Sequence, residues 1–357
     1  MTIDRMECVV VGAGTAGAAI ARRLAISGRE VMLIARRDWD LGDGNRLIPG
    51  SGWPEPVEAA VLDRPGTLRA ELRARGAEAL KSYCQLSQTP FARISQLIIA
   101  RNAVEWKLLN ELKSRIDNSL SAGQQPKGQR NVELLDADAV TALEPGLKCA
   151  GALLLGEAGI VDGNALRLNL RVDAENRGAF VTEDSRLIAA YPMGRGFELD
   201  LAGQPGELTT LRCDILINAA EEVESYQIAS RINGMKPYMP AGMQPSPGKR
   251  YHLDGTAPFG RMVVPSCLDS TASALFFPGF RGDSWLDVTA SRDENTDWEI
   301  QTANRHGIRG LVNVFGMDSR SEATVALALA DAIIDGIAER YPRSVYPPIV
   351  TSKLMTA

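Results

Sequence analysis

Val9-Val10-Val11-Gly12-Ala13-Gly14-Thr15-Ala16-Gly17 is an apolar run that meets G-x-G-x-x-G, and residues 16–27 after it are alanine-rich with apolar positions at helical spacing. The pattern predicts strand, turn and helix. In such a unit the first glycine permits the tight turn, the second lets backbone approach a pyrophosphate, and the third lets helix and strand pack closely. The helix N-terminus adds N–H donors and a partial positive charge. Gly28 stops the helix and residues 30–34 read as a second strand. A dinucleotide is therefore expected on Gly12, Ala13, Gly14, Thr15, Ala16 and Gly17.

The end of the second strand is the next test, because a carboxylate there normally accepts hydrogen bonds from ribose hydroxyls. The residues are Ala35, Arg36 and Arg37. Two arginines can pair with a 2′-phosphate, which points to NADP, or they can form a solvated surface.

Working outward, residues 38–56 lack periodicity and read as an irregular loop. Helices are expected over 67–86, 102–119, 134–143, 164–176 and 323–337, with Asp136 capping the third. Residues 95–100 read as a strand, residues 150–201 carry several short ones, and 214–219 and 311–315 read as buried parallel strands. The polar segment 121–130 reads as a flexible excursion, and 237–248 is too rich in proline and glycine for regular structure.

The chain has 357 residues, a net charge of −5, 45% apolar and 23% charged residues, enough for two joined domains. The charge balance gives no basic field for nucleic acid or an anionic membrane. No apolar run reaches the roughly 18 residues that a membrane span needs. Residues 1–7 lack the zones of a secretory signal, so a cytoplasmic protein is expected. Five widely spaced cysteines without C-x-x-C read as reduced thiols, neither a disulfide framework nor a metal site.

Six stretches carry a family likeness: the N-terminal fingerprint, Arg64-Pro65-Gly66-Thr67-Leu68-Arg69, Ala158-Gly159-Ile160-Val161-Asp162, Ile217-Asn218-Ala219-Ala220, Ala257-Pro258-Phe259-Gly260-Arg261 and Gly310-Leu311-Val312-Asn313-Val314-Phe315-Gly316. In this order the chain resembles the D-amino-acid oxidase superfamily of FAD-dependent oxidoreductases, most nearly its L-2-hydroxyglutarate oxidase/dehydrogenase group. The resemblance implies an α/β fold with a Rossmann-like FAD-binding domain and a second, mainly antiparallel β-sheet substrate domain. Residues 1–80, 145–180, 208–235 and 305–345 are assigned to the first, and 81–144, 181–207 and 236–304 to the second. It implies FAD, held by the glycine turn with Ala35, Arg36, Arg37, Ala219, Ala220 and Gly316. It also implies hydride transfer to the flavin from a small 2-hydroxy or 2-amino acid.

Four places depart from the family pattern. Ala35 stands for the ribose-binding glutamate, and Asn45-Arg46-Leu47-Ile48-Pro49-Gly50-Ser51-Gly52-Trp53 lacks the histidine of the family's flavin-side loop. Glu221 replaces the glycine after Asn218-Ala219-Ala220, and Ser319-Arg320-Ser321-Glu322-Ala323 lacks the family's glycine at the isoalloxazine edge. The span 286–297 is also shorter than the family's corresponding region, which normally includes the arginine that pairs with the substrate carboxylate. Arg250, Arg261 and Arg281 are its candidate substitutes, each also readable as a surface arginine. His252 is the candidate base and Tyr251 a candidate carboxylate partner, against plain structural roles; His306 reads as structural.

Three functions stand open from these residues: an FAD-dependent oxidoreductase, a non-catalytic or regulatory subunit that kept the scaffold but lost tight flavin binding, and an NADP-dependent oxidoreductase. For the second, a partner subunit would dock on Ala274-Leu275-Phe276-Phe277-Pro278-Gly279-Phe280, unless that run is an internal strand.

Overall fold

A computed structural model describes residues 5–35, 53–58, 63–64, 66–121, 132–156, 158–182, 185–203, 207–220, 222–236, 249–266, 272–290 and 297–340. Its chain begins with β1 (Arg5–Val11), α1 (Thr15–Ile26) and β2 (Val31–Ile34), the unit expected from the glycine turn. β1 lies parallel between β2 and the strand Leu208–Asn218, whose last residues pair in parallel with Leu311–Phe315. Phe180–Thr182 extends the sheet beyond β2, again in parallel. All five parallel strands end on one edge, where open α/β sheets bind ligands.

Leu208–Asn218 is 11 residues long, more than the parallel core uses. Its first half accepts the antiparallel hairpin Arg186–Pro192 and Phe197–Ala202, which joins this eight-stranded sheet and not the substrate-side sheet expected for residues 181–207. Conversely, Gly151–Leu155, expected with the first sheet, pairs with Gln96–Ala100 and Val132–Asp136 in a seven-stranded second sheet. That sheet continues through Met262–Pro265, Ala272–Pro278, Ser284–Ala290 and Lys249–Leu253. A three-stranded sheet of Pro54–Val57, Gly159–Asp162 and Phe91–Arg93 completes the set among the described residues.

Two local expectations change. Residues 54–56, placed in a loop, belong to the strand Pro54–Val57 because Gly159–Asp162 offers it an antiparallel partner. Residues 134–136, placed in a helix, end the strand Val132–Asp136; the helix starts at Ala137 because the Asp136 carboxylate accepts from the Ala139 N–H at 2.8 Å. Residues 122–130 and 237–248 lie outside the described residues.

The main core packs α1, α2 (Leu68–Ser87), Gly163–Glu175 and the C-terminal helix Ser319–Arg340 on one face of the first sheet. α1 packs on the C-terminal helix, and both contribute small buried residues to one cluster, Ala16 and Ala19 from the first and Ala323, Ala326 and Ala330 from the second. Arg23 and Asp331 tie the two helices at 2.6 Å. α2 approaches the same helix at Gly76, where an added Cβ would lie 2.2 Å from the Thr324 carbonyl oxygen. In the second sheet Leu275 and Phe277 are fully buried and Phe276 half-buried, so the run 274–280 is an internal strand and not a docking rim. No described helix is long and apolar enough to cross a membrane.

These contacts set a paired prediction. Gly76→Ala should lose about 1–3 kcal/mol, because backbone must move to admit the methyl group. Gly336→Ala, in the same C-terminal helix with open space around it, should gain roughly 0.5–1 kcal/mol by helix propensity. Urea titration of the two variants checks both, and equal shifts would show that helix contact at Gly76 is not tight.

Candidate functional site

β1 delivers the chain to Gly12, whose φ of +105° is open only to glycine at low cost. An added Cβ there would lie 2.7 Å from the backbone of Ala220. One at Gly17 would lie 1.7 Å from the Gly12 carbonyl oxygen. The turn is thus closed against both its own helix and the neighbouring strand end. Gly12 N–H donates to Ile34 O at 3.2 Å and Ala219 N–H to Val11 O at 2.9 Å, locking the three strand ends together.

The expected cofactor residues converge here. Ala219 and Ala220 follow the strand Leu208–Asn218, Gly316 follows Leu311–Phe315 with φ +82°, and Ala35 follows β2. Ala35 is fully buried, with its N–H on Thr182 O at 3.1 Å and its carbonyl taken by Ser185 N–H at 3.0 Å. Arg36, Arg37, Glu221 and residues 45–52 lie outside the described residues. A Cβ at Gly12 or Gly17 would run into backbone, so only glycine can make this tight turn, and it leads into the helix N-terminus whose free N–H groups suit a pyrophosphate.

Gly14 caps α1 with extended backbone and no side chain to offer. The first-turn N–H groups of a helix have no acceptor within it. For Ala16 the acceptor comes from far along the chain: Glu322 Oε1 at 2.7 Å, on a carboxylate only 6% exposed in the first turn of the C-terminal helix.

Beside it lies a buried ion network. Arg320 Nη2 donates to Glu58 Oε1 at 2.6 Å, Arg73 Nη2 to Ser321 Oγ at 2.5 Å, and Arg73 and Arg69 reach Asp63 at 3.4 and 2.8 Å. Asp297 caps α2 from outside, accepting from Leu68 N–H at 2.6 Å and Arg69 N–H at 3.0 Å. Burial opposes the charge on Glu58, but Arg320 and Arg73 outweigh it and hold its pKa below the ordinary value. For Asp63 burial prevails over Arg73 and Arg69, and its pKa rises. Burial works against the charge of Arg73 too, yet Asp63 and Glu58 raise its pKa.

The second candidate region is the edge of the seven-stranded sheet. Arg250, read as a surface or substrate arginine, is half-buried and bidentate on Asp287 at 2.6 and 2.7 Å; it also donates to Pro54 O at 3.2 Å and lies 5.5 Å from the Trp53 ring. Arg261 is bound to Glu144 at 2.9 Å. Arg281 is exposed in the turn before Ser284–Ala290. His252 Nε2 lies 3.3 Å from Asp283 Oδ2, with its ring 4.8 Å from Trp285. Tyr251 is 46% exposed and, as His252's neighbour in a strand, points to the opposite face. The two therefore do not converge on one pocket. His306 is half-buried, its Nδ1 accepting from Ile308 N–H at 3.2 Å, and burial lowers its pKa. Cys8, Cys84, Cys149 and Cys213 are free thiols; burial pushes each pKa up, to about 12 for Cys84.

A parallel sheet with a glycine turn at its C-terminal edge, joined to a second, largely antiparallel sheet, defines a two-domain dinucleotide-binding oxidoreductase class. The chain belongs to the DAO family of FAD dependent oxidoreductases, whose pattern matches residues 7–341. FAD is the cofactor of that family and of this chain. The mitochondrial L-2-hydroxyglutarate dehydrogenase of Arabidopsis thaliana is 24% identical, the match covering 92% of this chain and 83% of that protein. Among solved structures, L-alpha-glycerophosphate oxidase from Mycoplasma pneumoniae, with FAD bound, superposes with a TM-score of 0.73 at 17% identity over 93% of this chain and 94% of that one. Glycine oxidase from Geobacillus kaustophilus gives 0.68 at 14% identity over 96% and 97%.

Replacing Arg73 by methionine leaves Glu58 and Asp63 with one fewer buried cation. Arg73→Met should cost about 3–5 kcal/mol at neutral pH. Without Arg73 the pKa of Asp63, already raised by burial, would rise further and Glu58 would lose part of what holds its pKa down, so the loss should grow as pH rises through the carboxylate range and shrink in acid. Denaturant unfolding between pH 4 and pH 7 measures this, and a loss independent of pH would exclude the electrostatic cause.

Proposed function

We propose that this FAD-dependent oxidoreductase oxidises a small 2-hydroxy acid, with the FAD pyrophosphate on the Gly12–Gly17 turn. The observation that carries the reading is the closed glycine turn at the ends of parallel strands, within a family match that spans nearly the whole chain. The Arabidopsis relative's name supplies the substrate class, and a 2-amino acid is the nearest variant of it. Bound FAD supplies the hydride acceptor. The chain's own part is to hold the dinucleotide at Gly14, Thr15 and Ala16 and to orient substrate from the second sheet. His252, steadied by Asp283, is the proposed acceptor of the substrate's hydroxyl proton. Arg250 is committed to Asp287, so its role there is to hold the sheet edge against Pro54. The family's cofactor sets the NADP alternative aside.

A second reading, a subunit that keeps the scaffold without tight flavin binding, is favoured by one observation: the Glu322 carboxylate on the α1 N-terminus. The visible spectrum of the purified protein separates the two. Stoichiometric flavin that bleaches anaerobically with L-2-hydroxyglutarate supports the enzyme; flavin-free protein supports the subunit. Gly14→Val should abolish flavin retention, because a branched side chain then stands where the phosphates approach. Full occupancy in that variant would remove the assignment of the turn.

A further inference from the structure

We propose that Glu322 is a built-in competitor for the pyrophosphate, so that FAD binds this chain by displacing a carboxylate of the chain itself. This rests on the FAD reading of the glycine turn. Ala18 N–H already closes the first helical bond to Gly14 O at 3.0 Å, which leaves Thr15, Ala16 and Gly17 as the first-turn donors. Those donors and the helix dipole are what a pyrophosphate uses at such a turn. Glu322 Oε1 stands 2.7 Å from Ala16 N, the position that a phosphate oxygen bonded to that N–H would take. Two anions cannot share it. Like charges in a site this buried repel strongly, since little water screens them.

The backbone gives no other way out. α1 and the C-terminal helix are joined by small residues in one core and by Arg23–Asp331, so neither helix is free to withdraw. The Glu322 side chain, with three rotatable bonds, is the part that moves. While it is in place it is well held, because it lies in the first turn of its own helix and at the N-terminus of α1, and both helix ends favour a negative charge. Ser321 and Arg320, the two residues before it, are tied to Arg73 and Glu58, which fixes the turn that carries it.

Removing this charge should tighten FAD binding by about ten- to a hundredfold, the worth of one charge-assisted hydrogen bond. The test is a fluorescence titration of the full chain with FAD, and separately with inorganic pyrophosphate, for the natural protein, Glu322→Gln and Glu322→Ala. Glu322→Gln keeps shape and an acceptor oxygen for Ala16, so it decides the question alone should the alanine variant fail to fold. The expected result is tighter binding of both probes to the glutamine variant, a lower Tm than the natural protein without ligand, and a larger rise in Tm with FAD. If the natural protein binds FAD and the variant binds it equally or more weakly, the competitor proposal fails while the FAD reading stands. If none of the three chains binds FAD at any concentration, the FAD reading fails and takes this proposal with it.

Discussion

Three lengths of backbone meet at Gly12 with no space for a side chain: the turn itself, the strand end Ala219–Ala220, and the first turn of α1 at Gly17. The strand register follows from this contact, because β1 must end level with Asn218 and Ile34 for the turn to be closed on both sides. Asn218 then stands beside Asn313, and its side-chain amide donates to Asn313 Oδ1 at 3.0 Å and to Ser225 O at 2.7 Å, holding the next crossover in place. Asn218 makes its amide hydrogen bonds inside the protein, as a buried polar side chain must, while the Asn313 Nδ2 has no acceptor among the described residues. The asparagine pair thus carries the alignment of the turn from β1 across to Leu311–Phe315.

What the turn aligns, the buried ions fasten. α2 and the C-terminal helix both begin near the cofactor edge, and each presents first-turn N–H groups that need acceptors. Asp297 meets those of α2 and Asp318 meets Ser321 N–H at 2.9 Å, while Arg73 crosses from α2 to Ser321. The apolar packing of the helices fixes their separation; these polar contacts fix their rotation and depth. A buried ion pair is weak evidence for net stability, but breaking one strands a charge, so it is a strong constraint on how the helices sit.

The glycine turn was legible because each of its residues answers a local steric demand that sequence spacing displays. The same holds for Asp136 and for the buried strand Leu311–Phe315. What depended on partners distant in the chain was not. The strand Pro54–Val57 exists because Gly159–Asp162 pairs with it, and nothing in Pro-Glu-Pro-Val announces that. The hairpin Arg186–Ala202 joins the first sheet because Leu208–Asn218 outruns its parallel neighbours, a matter of relative strand length. Arg250 looked like a surface arginine until Asp287 and Pro54 were brought to it. In the altered stretch Ser319–Ala323 the missing glycine is plain in the sequence, yet the acidic residue within it is the more informative change. Its signal was available: a glutamate in the first turn of a helix that must pack on α1 has two helix ends to satisfy.

The departures near the cofactor edge therefore form a physical set. A fold that relies on a bound anion to satisfy the α1 N-terminus leaves an N–H group such as that of Ala16 buried without an acceptor whenever the anion is absent, and an orphaned buried donor costs about 1–3 kcal/mol. Here Glu322 supplies the acceptor from within, and Arg320, two residues before it, is paired with Glu58. The scaffold can then hold its native arrangement on internal contacts alone. The same carboxylate that makes the empty state self-sufficient weakens the field that draws a dinucleotide in, because a neutralised helix end attracts a phosphate less than a bare one. Stability without cofactor and affinity for it are thus set against each other by one side chain, placed where the two helices meet.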